Sequence, residues 1–357
     1  MVEVRHLKLV EAVNRLGTLK QAAEELHLTQ SALSHQLRQL ENILSTPIFY
    51  RTPQKLLLTP SGKEFWETAK EILEKINQLE SRIAENKQVS MQGYIHGYSE
   101  VETQRLYDQA NAISAFLHGD SHWPEGSLIL EVGCGVGAQT QIIAPQNPSC
   151  HFTGVDISEK SLNAAKNLLA KRGIENIELL KADFHYLPFS DKSFDHVFLC
   201  FVLEHVESPH LLLEELKRVL KPGGSITAIE GDHGSTYFHP ENAAARKTIQ
   251  AQVLLQGQKG GNANIGRALF PLLFETGFED IEVTPRQVYV DDSKPHLVEG
   301  FILNTFTAMI KGIAEEAIAQ KLVQKEEFRR GIQALEKTAS GGGTFCYTFF
   351  KGRAVKR

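Results

Sequence analysis

A chain of 357 residues is too long for one ordinary hydrophobic core, so two or three domains are expected. With 42% apolar and 23% charged residues the composition is that of soluble globular protein; no apolar run approaches bilayer length and the start MVEVRHLKLV is no secretory signal, so a cytoplasmic location without membrane contact is expected. The net charge of −5 argues against a protein that coats nucleic acid throughout, and the four cysteines (Cys134, Cys150, Cys200, Cys346) have neither CxxC pairing nor His at ligand spacing, which argues against a disulfide framework or a zinc site.

Leu7, Val10, Val13 and Leu16 recur at helical spacing, so residues 3–16 are expected as an amphipathic helix ended by Gly17. Thr18 then caps a second helix, LKQAAEEL, and Thr29 caps a third, Gln30 to about Leu44. Two helices joined by the short turn HLT describe a helix-turn-helix, with the small pair Ala22–Ala23 allowing close approach. Leu33, Leu37 and Leu40 face inward, which leaves Gln30, Ser31, Ser34, His35 and Arg38 on the side that would enter a major groove of double-stranded DNA. The stretch PIFYRTPQKLLLTPSG predicts a two-stranded wing, Ile48–Arg51 and Leu56–Leu58, with Arg51 and Lys55 placed for phosphates. Residues 29–63 hold Arg38, Arg51, Lys55 and Lys63 against Glu41 alone, a local positive patch in an acidic chain.

Thr59 or Ser61 caps a long helix over about 61–88. Its apolar positions Phe65, Ala69, Ile72, Ile76, Leu79 and Ile83 alternate in steps of four and three, a seam that wants a second helix, so a homodimer is expected. The division is therefore 1–60 winged helix-turn-helix, 61–90 linker and dimerisation helix, and 93–357 a larger domain, with the polar, aperiodic 86–99 as linker.

The runs HLKLVEAV, GTLKQAAEELHLTQSALSHQLRQLE, PIFYR and LTPSG resemble the winged helix-turn-helix of LysR-type transcription regulators over about 85 residues. TQSALSHQ most resembles the methionine-biosynthesis branch of that family. One departure is Ser45, where the family usually has glycine after the third helix. LysR regulators continue into a two-lobed effector domain, and nothing after residue 90 resembles one.

Beyond a helix at about 100–118, strands and helices alternate. SLILEVG, CHFTGVDI, IELLKAD, FDHVFLCF and SITAIEG are expected strands, and near-continuous apolar strands between helices indicate a doubly wound α/β fold with a parallel sheet covered on both faces. Ligands of such sheets bind at the C-terminal strand ends. The loop EVGCGVGAQT places three glycines between the first strand and its helix, and Asp156 ends the second strand where a carboxylate takes ribose hydroxyls. Taken alone, these features also suit a dinucleotide.

Glu131 before the glycines, LKADFHYLPF, SFDHVFLCFVLEHV and LKPGG, in that order, resemble the class I S-adenosylmethionine-dependent methyltransferases, more narrowly their small-molecule branch with ubiquinone/menaquinone and sterol-type C-methyltransferases, over about 95–355. The resemblance implies a seven-stranded Rossmann-like sheet closed by the antiparallel GTFCYTFFKGRAV, and S-adenosylmethionine as cofactor. It implies that Gly133, Cys134, Gly135 and Gly137 line the methionine part, with Glu131 orienting the loop through the ammonium or a water and Gln139 and Thr140 on the carboxylate. Asp156 and Ile157 would take the ribose and flank adenine, Asp183 and Phe184 the adenine edge and face, and Cys200 and Phe201 would pass near the sulfonium.

CFVLEH stands where DNA amino-methyltransferases carry their [DNS]-P-P-[YFW] loop, which argues against DNA as the methylated substrate and for a small-molecule acceptor. Polar groups converge in EGDHGSTYFHP, expected after the fifth strand: Glu230, Asp232, His233, Tyr237 and His239. His233 is the expected base, with Tyr98 positioning donor or acceptor; no metal is expected. Residues 241–340 are expected as a mostly helical substrate cap. The alternative to a methyltransferase fused to a DNA-binding module is a regulator that only senses S-adenosylmethionine or S-adenosylhomocysteine without turnover.

Overall fold

A computed structural model describes residues 2–26, 28–51, 55–70, 72–73, 75, 100–184 and 186–357. The chain divides into two compact units, Met1–Val89 and Ser90–Arg357.

In the first unit, α1 (Val4–Leu16) ends where Gly17 turns left-handed at φ 79°, which aims its N–H at the Val13 carbonyl. Thr18 Oγ1 accepts from Gln21 N–H at the start of α2 (Leu19–Glu25), and Thr29 Oγ1 accepts from Ala32 N–H at the start of α3 (Gln30–Leu44). Leu33, Leu37 and Leu40 are buried with Leu9, Val10, Val13, Ala22 and Ala23 in one core. Burial of each large side chain contributes about 1.5–3 kcal/mol. Ser45 adopts the left-handed conformation (φ 52°, ψ 30°) that glycine would take without strain. The serine therefore changes the strain at this position and leaves the path of the chain as a glycine would set it.

Strands β1 (Phe49–Arg51) and β2 (Leu56–Leu58) pair antiparallel as the wing, and Leu56 N–H donates to the Gly17 carbonyl, which pins the wing to the turn after α1. Helix α4 begins at residue 60, and Thr59 is its cap: Oγ1 accepts from Gly62 N–H at 2.9 Å and donates to the Pro47 carbonyl at 2.7 Å. Ala69 and Leu73 are buried against Leu7, with Phe65 and Trp66 packed beside them. The first positions of the expected dimer seam are thus used inside the unit, while Ile72 is 41% exposed. Ile76, Leu79, Ile83 and the linker 86–99 lie outside the described residues.

A Cβ at Gly62 would lie 2.1 Å from the Ile48 carbonyl oxygen, a backbone atom with nowhere to go. Gly62→Ala is expected to destabilise the first unit by about 2 kcal/mol. Scanning calorimetry should show a lowered transition for that unit and an unmoved one for the second; a shift in both, or in neither, is the contrary result.

The second unit is built on a seven-stranded sheet in the order β5-β4-β3-β6-β7-β9-β8. Five strands are parallel: β3 (Leu128–Val132), β4 (His151–Asp156), β5 (Ile177–Lys181), β6 (Phe194–Cys200) and β7 (Leu220–His239); β9 (Thr344–Val355) is antiparallel, between β7 and β8 (Glu279–Val290). This is the class I methyltransferase fold. Alternating residues of each strand feed two cores. Ile129, Phe198 and Ile229 pack under α5 (Glu100–His118), α6 (Thr140–Gln146) and the later helices, while Leu130, Val197, Leu199 and Ala228 pack under α8 (Pro209–Val219) and α10 (Leu269–Glu275). Helix α7 (Glu159–Lys171) returns the chain from β4 to β5.

One expectation is corrected and one refined. The stretch EGDHGSTYFH does not follow the fifth strand but is part of it: β7 runs to His239 and pairs with β9 up to Asp232 and again from Tyr237, with an irregularity between. Ser235 Oγ donates to the Asp232 carbonyl and accepts from Thr348 N–H, and Thr236 Oγ1 donates to the His233 carbonyl, so short hydroxyl side chains hold the bulge. Residues 241–340 are mostly helical, as expected, but they also hold the edge strand β8, and α10 packs with α8 in the other core. The helices that pack over the other face are α9 (Ala243–Gln258), the π-helix Val298–Thr307 and α11 (Lys325–Lys337). Phe301, Phe306 and Phe328 are buried core residues there. No described helix is long and apolar enough to cross a membrane.

Candidate functional site

The loop between β3 and α6 turns back beside the end of β4. Gly133 and Cys134 N–H groups both donate to the Val155 carbonyl, at 2.8 and 3.1 Å. Gly133 has φ 69°, and a Cβ there would lie 2.6 Å from Val202 Cγ2. Gly135, at φ 53°, is different: a Cβ would meet nothing nearer than 4.0 Å. The loop is therefore packed against protein at Gly133 and open at Gly135. Asp156 stands at that opening. Its Oδ2 accepts from Gly135 N–H at 2.9 Å and its Oδ1 from Ser158 N–H at 2.8 Å, so loop, strand end and the start of α7 share one carboxylate. Burial raises the Asp156 pKa, and the N–H groups of Ser158, Gly135 and Ile157 oppose the rise.

Glu131 is buried beneath the loop and accepts from Thr140 Oγ1 at 2.7 Å. Burial pushes its carboxyl up to about 8, Thr140 opposes this, and the charge of Asp156 adds to it. Gln139 Oε1 and His118 Nε2 are 2.7 Å apart, so Gln139 and Thr140 both have partners inside the protein. Tyr107 Oη donates to the Val136 carbonyl, tying α5 to the loop. Ile157, Asp183, Phe184 and Phe201 are half-buried at the C-terminal ends of β4, β5 and β6, and Cys134 and Cys200 are buried, with burial raising both thiols. Phe201 takes a left-handed φ of 60°. The cofactor-site residues named from sequence thus gather at one end of the sheet.

The bulge in β7 turns His233 inward. It is 6% exposed, with Nδ1 2.8 Å from Tyr347 Oη and the Phe306 ring 6.0 Å away; Nε2 is buried without a partner among the described residues. Burial lowers its pKa, while Glu204 and Asp232 pull the other way. Around it stand Glu204, whose carbonyl and Oε2 accept from Gln256 Nε2, and Glu230, whose Oε1 accepts from Val202 and Leu203 N–H. Asp232 is held by Arg267 at 2.8 and 2.7 Å, and Arg286 is paired with Asp120 at 2.5 Å, so both arginines are engaged within the protein. Tyr237 and His239 are exposed and take no part in the cluster. Tyr98 lies outside the described residues. Tyr347, Gln252 and Gln256 were not singled out from sequence; the spacing 252–256 on one face of α9 was the available signal. Among the described residues no group of three His, Cys, Asp or Glu is arranged for a metal ion.

On the first unit, Gln30, Ser31, His35 and Arg38 are exposed along one face of α3 and Ser34 is half-buried, with Arg38 Nη2 3.5 Å from Ser34 Oγ. Glu41 Oε1 accepts from Ile48 N–H, which fixes the wing's entry below that face. Lys55 is exposed at the start of β2, and the Arg51 side chain lies outside the described residues.

A nucleotide-cofactor domain of the methyltransferase type and a DNA-reading head are what this fold and these sites define. Residues 130–228 match the family described as "Methyltransferase domain", and residues 4–63 match "Bacterial regulatory helix-turn-helix protein, lysR family". The chain joins a lysR-family helix-turn-helix domain to a methyltransferase domain. It is 33% identical over 165 residues to a demethylmenaquinone methyltransferase of Tropheryma whipplei, covering 41% of this chain and 66% of that protein. It is also 33% identical over 136 residues to one of Listeria monocytogenes, covering 35% and 56%. The chain thus spans between about half and two thirds of the length of these curated relatives. A solved Haemonchus contortus phosphoethanolamine N-methyltransferase 2 with S-adenosyl-L-methionine is 20% identical, with a TM-score of 0.42 over 69% of this chain and 52% of that one.

Proposed function

We propose that the chain is an S-adenosylmethionine-dependent methyltransferase for a small molecule, whose lysR-type head binds double-stranded DNA as a homodimer and couples methylation, or cofactor level, to transcription. The observation that carries the cofactor reading is the loop open at Gly135 beside the Asp156 carboxylate. There Gly133, Cys134, Gly135 and Gly137 hold the methionine part, with Glu131, Gln139 and Thr140 at its charged end. Asp156 and Ile157 take the ribose, Asp183 and Phe184 the adenine, and Cys200 and Phe201 border the transfer point. The cofactor supplies a methyl group already activated on a sulfonium. What the chain supplies is alignment, exclusion of water, and a group to take the acceptor's proton. We assign that group to His233: with its Nδ1–H given to Tyr347 Oη, the Nε2 lone pair is left for the acceptor. Tyr98 is assigned to positioning. The exposed Ile72 is the described part of the surface we assign to the dimer.

Calorimetric titration of the full chain with S-adenosylmethionine tests the cofactor; absence of saturable binding ends the reading. The relatives' name makes a demethylmenaquinone the first acceptor to try, with S-adenosylhomocysteine formation as readout. Binding without turnover, together with a change in DNA affinity, would favour the sensor-only alternative; the coupling must then be reciprocal between cofactor and DNA.

A further inference from the structure

Glu230 is 0% exposed, at the point where β7 passes the end of β6. One of its oxygens is fully used: Oε1 accepts the N–H groups of Val202 and Leu203 at 3.0 and 2.8 Å. The other, Oε2, is buried and has no hydrogen-bond partner among the described residues. His233 Nε2 and Gln252 Oε1 are in the same condition, on the bulge of β7 and on α9. A buried polar atom left without a partner costs on the order of a full desolvation penalty, so it calls for a ligand or a proton arrangement that explains it. The charged and titratable groups that face Glu230 are Glu204 from the segment after β6, Cys200 of β6 and Tyr347 of β9.

We propose that Glu230 is an uncharged carboxylic acid that donates the hydrogen on Oε2 to the methyl acceptor, and that this donor selects an oxygen-bearing acceptor over an amine. The inference rests on the methyltransferase reading above. Oε1 takes two backbone hydrogens and is fixed as the acceptor, so a proton on the group belongs on Oε2, the atom with no other partner. Burial, with the charge of Glu204 adding, raises the group well above the ordinary carboxyl range, against the pull of the Leu203, Val202 and Glu204 backbone amides. Two carboxyls sharing a dry site hold one proton between them for the same reason. The selectivity follows from lone pairs. An amine attacks a methyl group with its single lone pair, and a hydrogen donor aimed at that pair blocks it. A hydroxyl or enol oxygen accepts the hydrogen bond and still offers a second lone pair, or passes the attack to carbon.

The test needs no known acceptor. Infrared difference spectra of the full chain at neutral pH, wild type minus Glu230→Gln, should contain the carbonyl stretch of a protonated carboxylic acid; its absence overturns the proposal. Should Glu230→Gln fail to fold, carboxyl carbon spectra of wild type labelled in glutamate should show one resonance that keeps the shift of a protonated acid to about pH 9, above the point where Glu131 ionises; ionised shifts for every glutamate at that pH overturn it as well. Glu230→Gln keeps an oxygen for the two amides and an N–H donor in place of Oε2–H, while Glu230→Met keeps neither. With the chain saturated with S-adenosylhomocysteine, 4-methylphenol is expected to bind at least tenfold tighter than the isosteric 4-methylaniline, which is uncharged at neutral pH, to hold that preference in Glu230→Gln and to lose it in Glu230→Met. Tighter binding of 4-methylaniline, or binding of neither probe, overturns the selectivity. Failure of S-adenosylhomocysteine to bind at all would sink the methyltransferase reading and leave the spectroscopic result on Glu230 to stand or fall by itself.

Discussion

Replacing Asp156 by alanine is expected to weaken S-adenosylmethionine binding about a hundredfold while the second unit stays folded. The carboxylate does two things at once. Its two oxygens are placed by Gly135 and Ser158 N–H, so its position is fixed before any ligand arrives. It also keeps lone pairs for the two ribose hydroxyls we assign to it, and a hydrogen bond to a charged group contributes about 1.5–3 kcal/mol. Losing the acceptor and loosening the loop that it holds together account for about 2.7 kcal/mol, which is a hundredfold. Asp156→Asn should fall between, because its NH2 must face one of the two backbone donors. The measurement is calorimetric titration, with circular dichroism as the check on folding. An alanine variant that binds within about threefold of wild type would show that the ligand approaches elsewhere.

Much of the architecture could be read from sequence because the physical constraints on it are local. Parallel strands covered on both faces are near-continuous apolar runs, and LILEV and the VFLC of FDHVFLC are such runs between helices. Helix starts were legible at Thr18 and Thr29, and at Thr59 as one of two candidates with Ser61, because a cap acts over three residues. The end of β7 was not legible. EGDHGSTYFH is polar and carries two glycines, and it remains a strand only because β9 pairs with it from the far end of the chain. Strand β8 escaped for a related reason. Pro285 reads as a breaker, yet β8 is the edge of the sheet, where a missing N–H can face solvent. The cofactor loop was recognisable as a motif, but which glycine opens toward a ligand depends on Val202 and Ala165, residues of other elements. The same holds for Tyr347, whose contact with His233 spans 114 positions. Nothing in the alternating aromatics of the last strand distinguishes it from Phe345 or Phe349.

Binding of S-adenosylhomocysteine is expected to strengthen about tenfold per pH unit as pH rises toward about 8 and to level off above it, a change of about a hundredfold from pH 6 to 8. The source is Glu131. In the free protein burial holds its carboxyl up to about 8, so at neutral pH the proton is on, with Thr140 Oγ1–H already given to Oε2. The ammonium group assigned to this end of the loop is best met by the ionised form, so binding below the folded pKa must release a proton. The sign agrees with stability. A carboxyl whose folded pKa exceeds its unfolded one favours folding fully at acid pH and loses that contribution as pH rises through about 8. A ligand cation reverses the preference and recovers stability in the range where the free protein loses it. Calorimetry at pH 7 in two buffers of different ionisation enthalpy should report close to one proton released. Thr140→Val removes the group that opposes the rise, so the levelling-off point should move to higher pH. Glu131→Gln should bind weakly at every pH, with no slope. An affinity that is flat between pH 6 and 8 in the wild type would mean that Glu131 stays protonated in the complex. Its part would then be to brace the loop through Thr140 and not to meet the charge.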